Sequence, residues 1–151
     1  MTHPNEAYQQ WLARPEDFKL LERIPFTQKS AQWPLPLFDP VGDEIEMVIL
    51  DTETTGLSAA DDAIIELGMV KLMYSKSLNR ITSIEDVISV YEDPQRPISE
   101  FVTRLTGITD EMVKDQHIDS AWVAEWLSNK PLIVAHNAQF DRPFFEELFQ
   151  N

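Results

Sequence analysis

The period of hydrophobic and polar positions changes three times along the chain. Met47, Val48, Ile49 and Leu50 form an uninterrupted apolar run that ends at Asp51, the pattern of a strand covered on both faces. A second strand reads from Ala63 to Tyr74 (AIIELGMVKLMY) and a third from Asp86 to Pro94 (DVISVYEDP), each bounded by polar or turn-forming residues. Together they predict an antiparallel meander. Ile98, Phe101, Val102 and Leu105 then fall at i, i+3, i+4 and i+7, one face of a helix, with Gly107 placed to end it. Thr109 can cap a short turn through Met112, and Asp119 or Ser120 can start a helix with Trp122, Val123, Trp126 and Leu127 as its apolar stripe. PLIVAHN, Pro131 to Asn137, reads as a fourth strand and its polar exit. A last helix carries Phe144, Phe145, Leu148 and Phe149 on one face, with Pro143 fixing its first turn and Asp141 at its N-terminus. Three strands, helices, a strand and a helix make an α/β domain.

The segment before Glu44 breaks this regularity. Six of the ten prolines fall in the first 40 residues and interrupt any long helix there. Tyr8, Trp11 and Leu12 have helical spacing, as do Phe18 and Leu21, so two short helices are expected before an extended crossing through QWPLPLFDP. Trp33, Leu35, Leu37 and Phe38 are expected to pack onto the main domain. Residues 1–43 therefore read as a helical, proline-rich appendage and residues 44–151 as the domain proper.

Composition narrows the partners. Twelve basic against 26 acidic side chains give a net charge of −14, which argues against coating nucleic acid through a broad basic face. The chain has no cysteine, so disulfides, thiolate metal sites and a cysteine nucleophile are excluded and a reducing compartment is the default. MTHPNEAYQQ lacks the basic start and apolar core of a secretory signal, and no stretch approaches the ~20 apolar residues of a membrane span. A soluble, cytoplasmic protein without membrane contact is the expectation.

The chemistry begins where the first strand ends. Residues i and i+2 of a strand share a face, so Asp51 and Glu53 point the same way. Carboxylates that close repel unless a cation lies between them, and a hard ion such as Mg2+ or Mn2+ answers that need. A D-x-E at a strand end also serves as a solvated turn or a helix cap. Its surroundings favour the metal: Thr52, Thr54, Thr55 and Gly56 supply hydroxyls, amides and a flexible turn, and HNAQFD, His136 to Asp141, brings a third acid after another buried strand.

ILDTETTGL, IIELGMV, LTGIT and AHNAQFD, in that order between Met47 and Asn151, resemble the DEDD 3′-to-5′ exonucleases, especially the proofreading epsilon subunits of bacterial DNA polymerase III and their relatives. The resemblance implies a ribonuclease H-like mixed sheet, an antiparallel meander plus a parallel strand with flanking helices. It implies that Asp51, Glu53 and Asp141 are catalytic and bind two Mg2+ or Mn2+ ions. It further implies that Thr52 and Thr54 meet the terminal nucleotide, that Leu105 and Thr106 border its base and sugar, and that Phe140 packs near it. Thr106 stands where related proteins often have histidine, and Leu105 reads equally as a buried helix residue. His136 is expected to orient the strand end or touch substrate. The implied partners are single-stranded DNA or RNA 3′ ends and a DNA polymerase or another replication or repair protein.

One departure is an absence. The third motif of these enzymes, a histidine followed by an aspartate on a late helix, has no counterpart before Asn151. The histidine would be the general base and the aspartate a metal ligand. His117, in KDQHID, reads as a solvated loop residue rather than a substitute. The expectation is a domain shortened at its C-terminus, lacking the last strand and helix of the fold, impaired in catalysis and able to self-associate through an exposed apolar face. The competing reading is a non-catalytic module that retains the fold and binds nucleic acid or a protein.

Overall fold

A computed structural model describes Ala13 and residues 32–150. The chain divides between Ala31 and Gln32 into two units, and only the second is described below. The two helices expected before residue 31 lie outside the described residues.

The sheet has five strands in the order β1-β4-β3-β2-β5. β2 (Glu44–Thr54), β3 (Ile64–Ser75) and β4 (Arg80–Tyr91) form the meander, antiparallel throughout, and β5 (Leu132–Val134) adds parallel to β2. This is the mixed sheet of the ribonuclease H-like class. β1 (Leu35–Pro36) closes the far edge, antiparallel to β4. It falls within the proline-rich crossing, before the boundary expected at Glu44. An edge tolerates proline because its missing donor faces no partner.

β4 begins six residues earlier than the predicted start at Asp86. Its first half is polar, and Thr82 is buried there while its hydroxyl donates to the Met73 carbonyl at 3.4 Å. A polar residue at a buried strand position hides the alternation.

α1 (Glu100–Thr106) is capped by Ser99, whose hydroxyl accepts from Val102 N, and ends on Gly107 at φ 79°, a left-handed conformation that favours glycine. α2 (Asp110–Val113) follows Thr109, whose side chain makes no cap bond to the helix backbone. α3 (Ser120–Trp126) is capped by Asp119 through the amides of Ala121 and Trp122. α4 (Ala138–Glu147) begins five residues before Pro143, which lies inside the helix rather than in its first turn. The proline leaves the Gln139 carbonyl without its helical donor.

One core unites Val48, Leu50, Leu67 and Met69 of the sheet with Val123 of α3 and Phe144 and Phe145 of α4. A second joins Ile65 to Ile98, Val102, Ile108 and Val113. Two expectations are corrected. β2 is not covered on both faces: α3 and α4 pack on the Val48 and Leu50 side, and Ile49, on the other, is 43% exposed. Nor do the four apolar residues around α1 form one buried stripe. Ile98 and Val102 face the second core while Phe101 is 69% and Leu105 73% exposed, because Ile98 precedes the helix and the two-turn segment buries only one narrow side. Leu132, Ile133 and Val134 of β5 and Phe149 are also exposed. Among the described residues no helix is long and apolar enough to cross a membrane.

Candidate active site

The site is built on a mismatch in strand length. β5 pairs with β2 only from Met47–Leu132 to Ile49–Val134, so β2 continues beyond it to Thr54 with one edge unpaired. A backbone N–H on such an edge needs a partner when solvent is excluded. Asp141 provides it. Its Oδ1 accepts from Thr52 N at 3.1 Å and from Thr52 Oγ1 at 2.9 Å, and the side chain is 3% exposed. Asp141 sits in the first turn of α4, where the positive end of the helix dipole favours a carboxylate.

Asp51 and Glu53 alternate with the buried Thr52 and Thr54 and leave the opposite face of the strand. Because α4 meets β2 at the free edge, Asp141 stands within electrostatic range of both. Burial, then the charges of Asp141 and Glu66, holds the Asp51 carboxyl above the usual carboxylate range, with His136 pulling it back. Burial first, then Asp51, Glu66 and Asp141, pushes Glu53 up as well.

Glu66 escaped the sequence reading. It stands opposite Glu53 in the β2–β3 register, and its carboxylate accepts from Ser89 Oγ on β4. The signal was an acid interrupting the apolar run IIELGMV, but its neighbour across the sheet becomes visible only when the register is known.

The turn after the acids is tied down. Thr55 Oγ1 donates to Asp62 Oδ1 at 3.1 Å, Ser58 N donates to Asp62 Oδ2 at 3.1 Å, and Arg96 Nη2 reaches Thr55 Oγ1 at 2.6 Å and Asp62 Oδ1 at 3.0 Å. A Cβ at Gly56 would lie 2.3 Å from Asp62 Oδ2, so any larger residue there would push the Asp62 carboxylate off these bonds.

The residues expected to meet a nucleotide are placed unequally. The hydroxyls of Thr52 and Thr54 turn inward, Thr52 to Asp141 and Thr54 to the Gly56 carbonyl at 2.5 Å. Leu105 is open to solvent with Phe101 beside it on α1, and the two line a cleft with Arg104. Thr106 donates to the Val102 carbonyl at 3.0 Å and accepts from Ile108 N at 3.1 Å. His136 is exposed. Phe140 is half-buried, its ring 5.2 Å from that of Phe144. His117 lies at the surface, its Nδ1 3.1 Å from Glu92 Oε1. An apolar groove of about 260 Å³ opens beside Asp141, with Leu50, Ile133, Ala135 and Phe145 among its walls. A larger cleft of about 460 Å³, between Asp93, Arg96 and Lys114, contains none of the clustered carboxylates.

Among the described residues no three His, Asp or Glu side chains already converge to enclose one ion. The cluster is a set of carboxylates within mutual electrostatic range. In chemistry it fits hard divalent cations: every donor is a carboxylate oxygen, and the raised proton affinities of Asp51 and Glu53 mark a place short of positive charge.

Comparison with known proteins agrees with this architecture. Residues 48–149 match the exonuclease family RNase_T. The DNA polymerase III PolC-type of Caldanaerobacter subterraneus subsp. tengcongensis is 42% identical over 105 residues, 68% of this chain and 7% of the polymerase. That of Bacillus subtilis is 38% identical over 112 residues, 72% of this chain and 7% of the polymerase. The chain thus spans a small fraction of the length of the relatives it matches. Among solved structures, Exonuclease I superimposes with a TM-score of 0.53 at 19% identity over 70% of this chain and 24% of its own, a likeness of fold. E. coli Exonuclease I in complex with an oligonucleotide gives a TM-score of 0.53 at 18% identity, with 70% of this chain and 24% of the other covered. With its meander, its acid-bearing strand end and a family match that runs from β2 to the end of α4, the chain belongs to the RNase_T exonuclease family.

Proposed function

We propose that this chain carries the active site of a divalent-metal-dependent 3′-to-5′ exonuclease that hydrolyses phosphodiester bonds at the 3′ ends of DNA or RNA and releases nucleoside monophosphates. The observation that carries the proposal is the bond from buried Asp141 to Thr52, which brings the third acid to the strand end bearing Asp51 and Glu53. Those three carboxylates would hold Mg2+ or Mn2+. What the ions supply when bound is a lowered pKa for the attacking water and a counter-charge for the departing 3′ oxygen.

The chain's own residues divide the remaining tasks. Thr52 fixes the direction of Asp141. The Gly56–Asp62–Arg96 turn holds the main chain after the acids in one shape. Phe101 and Leu105 offer an exposed apolar surface on which a terminal base can stack. The amide and hydroxyl of Thr52 and the hydroxyl of Thr54 are engaged inside the protein, so these residues shape the strand end on which the acids stand. The charge of −14 suits an enzyme that holds only a strand end, where few phosphates need neutralising.

His117 is held at the surface by Glu92 and His136 makes no hydrogen bond to these carboxylates, so slow turnover, with no base fixed against them among the described residues, is part of the proposal. The PolC-type relatives suggest a DNA polymerase as the protein partner. The exposed edge of β5 also suits association with a second copy of this chain.

A 3′-labelled single strand incubated with Mg2+ or Mn2+ tests the proposal. Slow release of mononucleotides that Asp51→Ala abolishes is expected. Absence of both turnover and Asp51-dependent Mn2+ binding would leave the fold as a non-catalytic binding module.

A further inference from the structure

We propose that Glu66 is a positioning residue of this site: its carboxylate, anchored by Ser89 and set across from Glu53, adds a fourth negative charge that tightens the hold on divalent cations without touching the substrate. The inference rests on the reading of Asp51, Glu53 and Asp141 as metal ligands.

Cross-strand partners share a face with their Cβ atoms roughly 5 Å apart, and like charges in that relation destabilise a sheet. Glu53 and Glu66 are such a pair. A sheet serving only to fold would relieve the repulsion with a basic or neutral partner. Here it is retained. Among the described residues the ion pairs are Lys71–Glu46, Arg96–Asp62, His117–Glu92 and Arg142–Glu146, and none includes Asp51, Glu53, Glu66 or Asp141.

The position of Glu66 is specified from the other side. Its direct partner on β4 is Tyr91, but it takes its hydrogen bond from Ser89, whose own partner across the sheet is Gly68. The carboxylate therefore leans diagonally toward β4, away from the strand that carries Asp51 and Glu53. Gly68 stands opposite Asp51, and even a Cβ there would approach nothing nearer than the Asp51 carbonyl at 3.8 Å. The row Asp51–Gly68–Ser89 is thus a low floor, with Glu66 rising beside it and held back from direct coordination. Its field acts on a bound ion while its oxygen remains on Ser89.

Removing one unit charge from the surroundings of a divalent ion, with water-like screening, weakens binding by about five- to tenfold. The test is Mn2+ titration of the chain, followed by electron paramagnetic resonance or calorimetry, beside Glu66→Gln, Glu66→Asp and Asp51→Asn. Glu66→Gln keeps the size of the side chain and a partner for Ser89, so its dissociation constant should rise about five- to tenfold, by a smaller factor in high salt, with no loss of thermal stability in the metal-free protein. Glu66→Asp retains the charge and should stay within about twofold of the parent. The inference is overturned if Glu66→Gln binds Mn2+ like the parent while Asp51→Asn abolishes binding. If Asp51→Asn leaves binding intact, the metal-site reading falls and this inference with it.

Discussion

Replacing Thr52 with valine isolates the contact on which the site depends. The two side chains have nearly the same volume and both are β-branched, so strand preference and packing persist. What disappears is the 2.9 Å donation from Oγ1 to Asp141 Oδ1, while the 3.1 Å bond from the Thr52 amide remains. A hydrogen bond to a charged acceptor contributes about 1.5–3 kcal/mol, and Asp141 is almost wholly removed from water, so no solvent replaces the lost donor. Because the amide still serves the same oxygen, the expected cost is at the low end, about 1–2 kcal/mol, or a fall in Tm of about 3–6 °C for a domain of this size. Thermal unfolding followed by circular dichroism measures it. A double-mutant cycle with Asp141→Asn assigns it: in the Asp141→Asn background the same substitution should cost at least about 0.5 kcal/mol less, since the acceptor is then neutral. If Thr52→Val is neutral to within about 0.5 kcal/mol, or if its cost is the same in both backgrounds, the hydroxyl does not hold Asp141.

Four further outcomes follow from other parts of the molecule. Asp51 and Glu53 bind protons more readily in the folded chain than in the unfolded one, so their contribution to metal-free stability is largest in acid and is lost as pH rises above the ordinary values of 3.8 and 4.5; the Tm advantage of Asp51→Asn over the parent should therefore widen from about pH 4 to about pH 7 and vanish with Mn2+ present. Gly56→Ala forces the Asp62 carboxylate off Ser58, Thr55 and Arg96 and should lower Tm by about 2–5 °C, a loss that shrinks when the same change is made in the Asp62→Ala background, where nothing is left to crowd. Phe101→Ala and Leu105→Ala should leave stability within about 0.5 kcal/mol and weaken binding of a single strand severalfold by fluorescence anisotropy, because both side chains are solvent-facing. Sedimentation at rising concentration should show self-association that Ile133→Lys reduces, since the change puts a charge on the exposed edge strand.

How far the fold was legible depended on whether a residue's partners were near in sequence. The run from Met47 to Leu50 announced β2, and Ser99, Gly107 and Asp119 marked helix ends through contacts within a few positions. Elements defined by distant neighbours were harder. β1 hides among prolines because an edge position forgives them, and the first half of β4 hides because Thr82 is buried beside a carbonyl of the adjacent strand. Pro143 suggested a helix start that tertiary packing moved back to Ala138. The alternation of Asp51 and Glu53 was readable from strand geometry alone. Glu66 was not, since its place depends on a register that shifts at a bulge between Glu53 and Thr54. Nor could sequence show that Asp141 would be gripped by the backbone of Thr52, because that requires knowing where β5 stops.

The brevity of β5 has a consequence for how this domain can change. Three residues are enough to seat the strand against β2, and three more in the same register would carry it alongside Thr52 and compete with Asp141 for that amide. A longer strand would improve the sheet and evict the carboxylate. The notch in the sheet is thus a reserved berth, and any lengthening of β5 that strengthens the scaffold does so at the expense of the chemistry it supports.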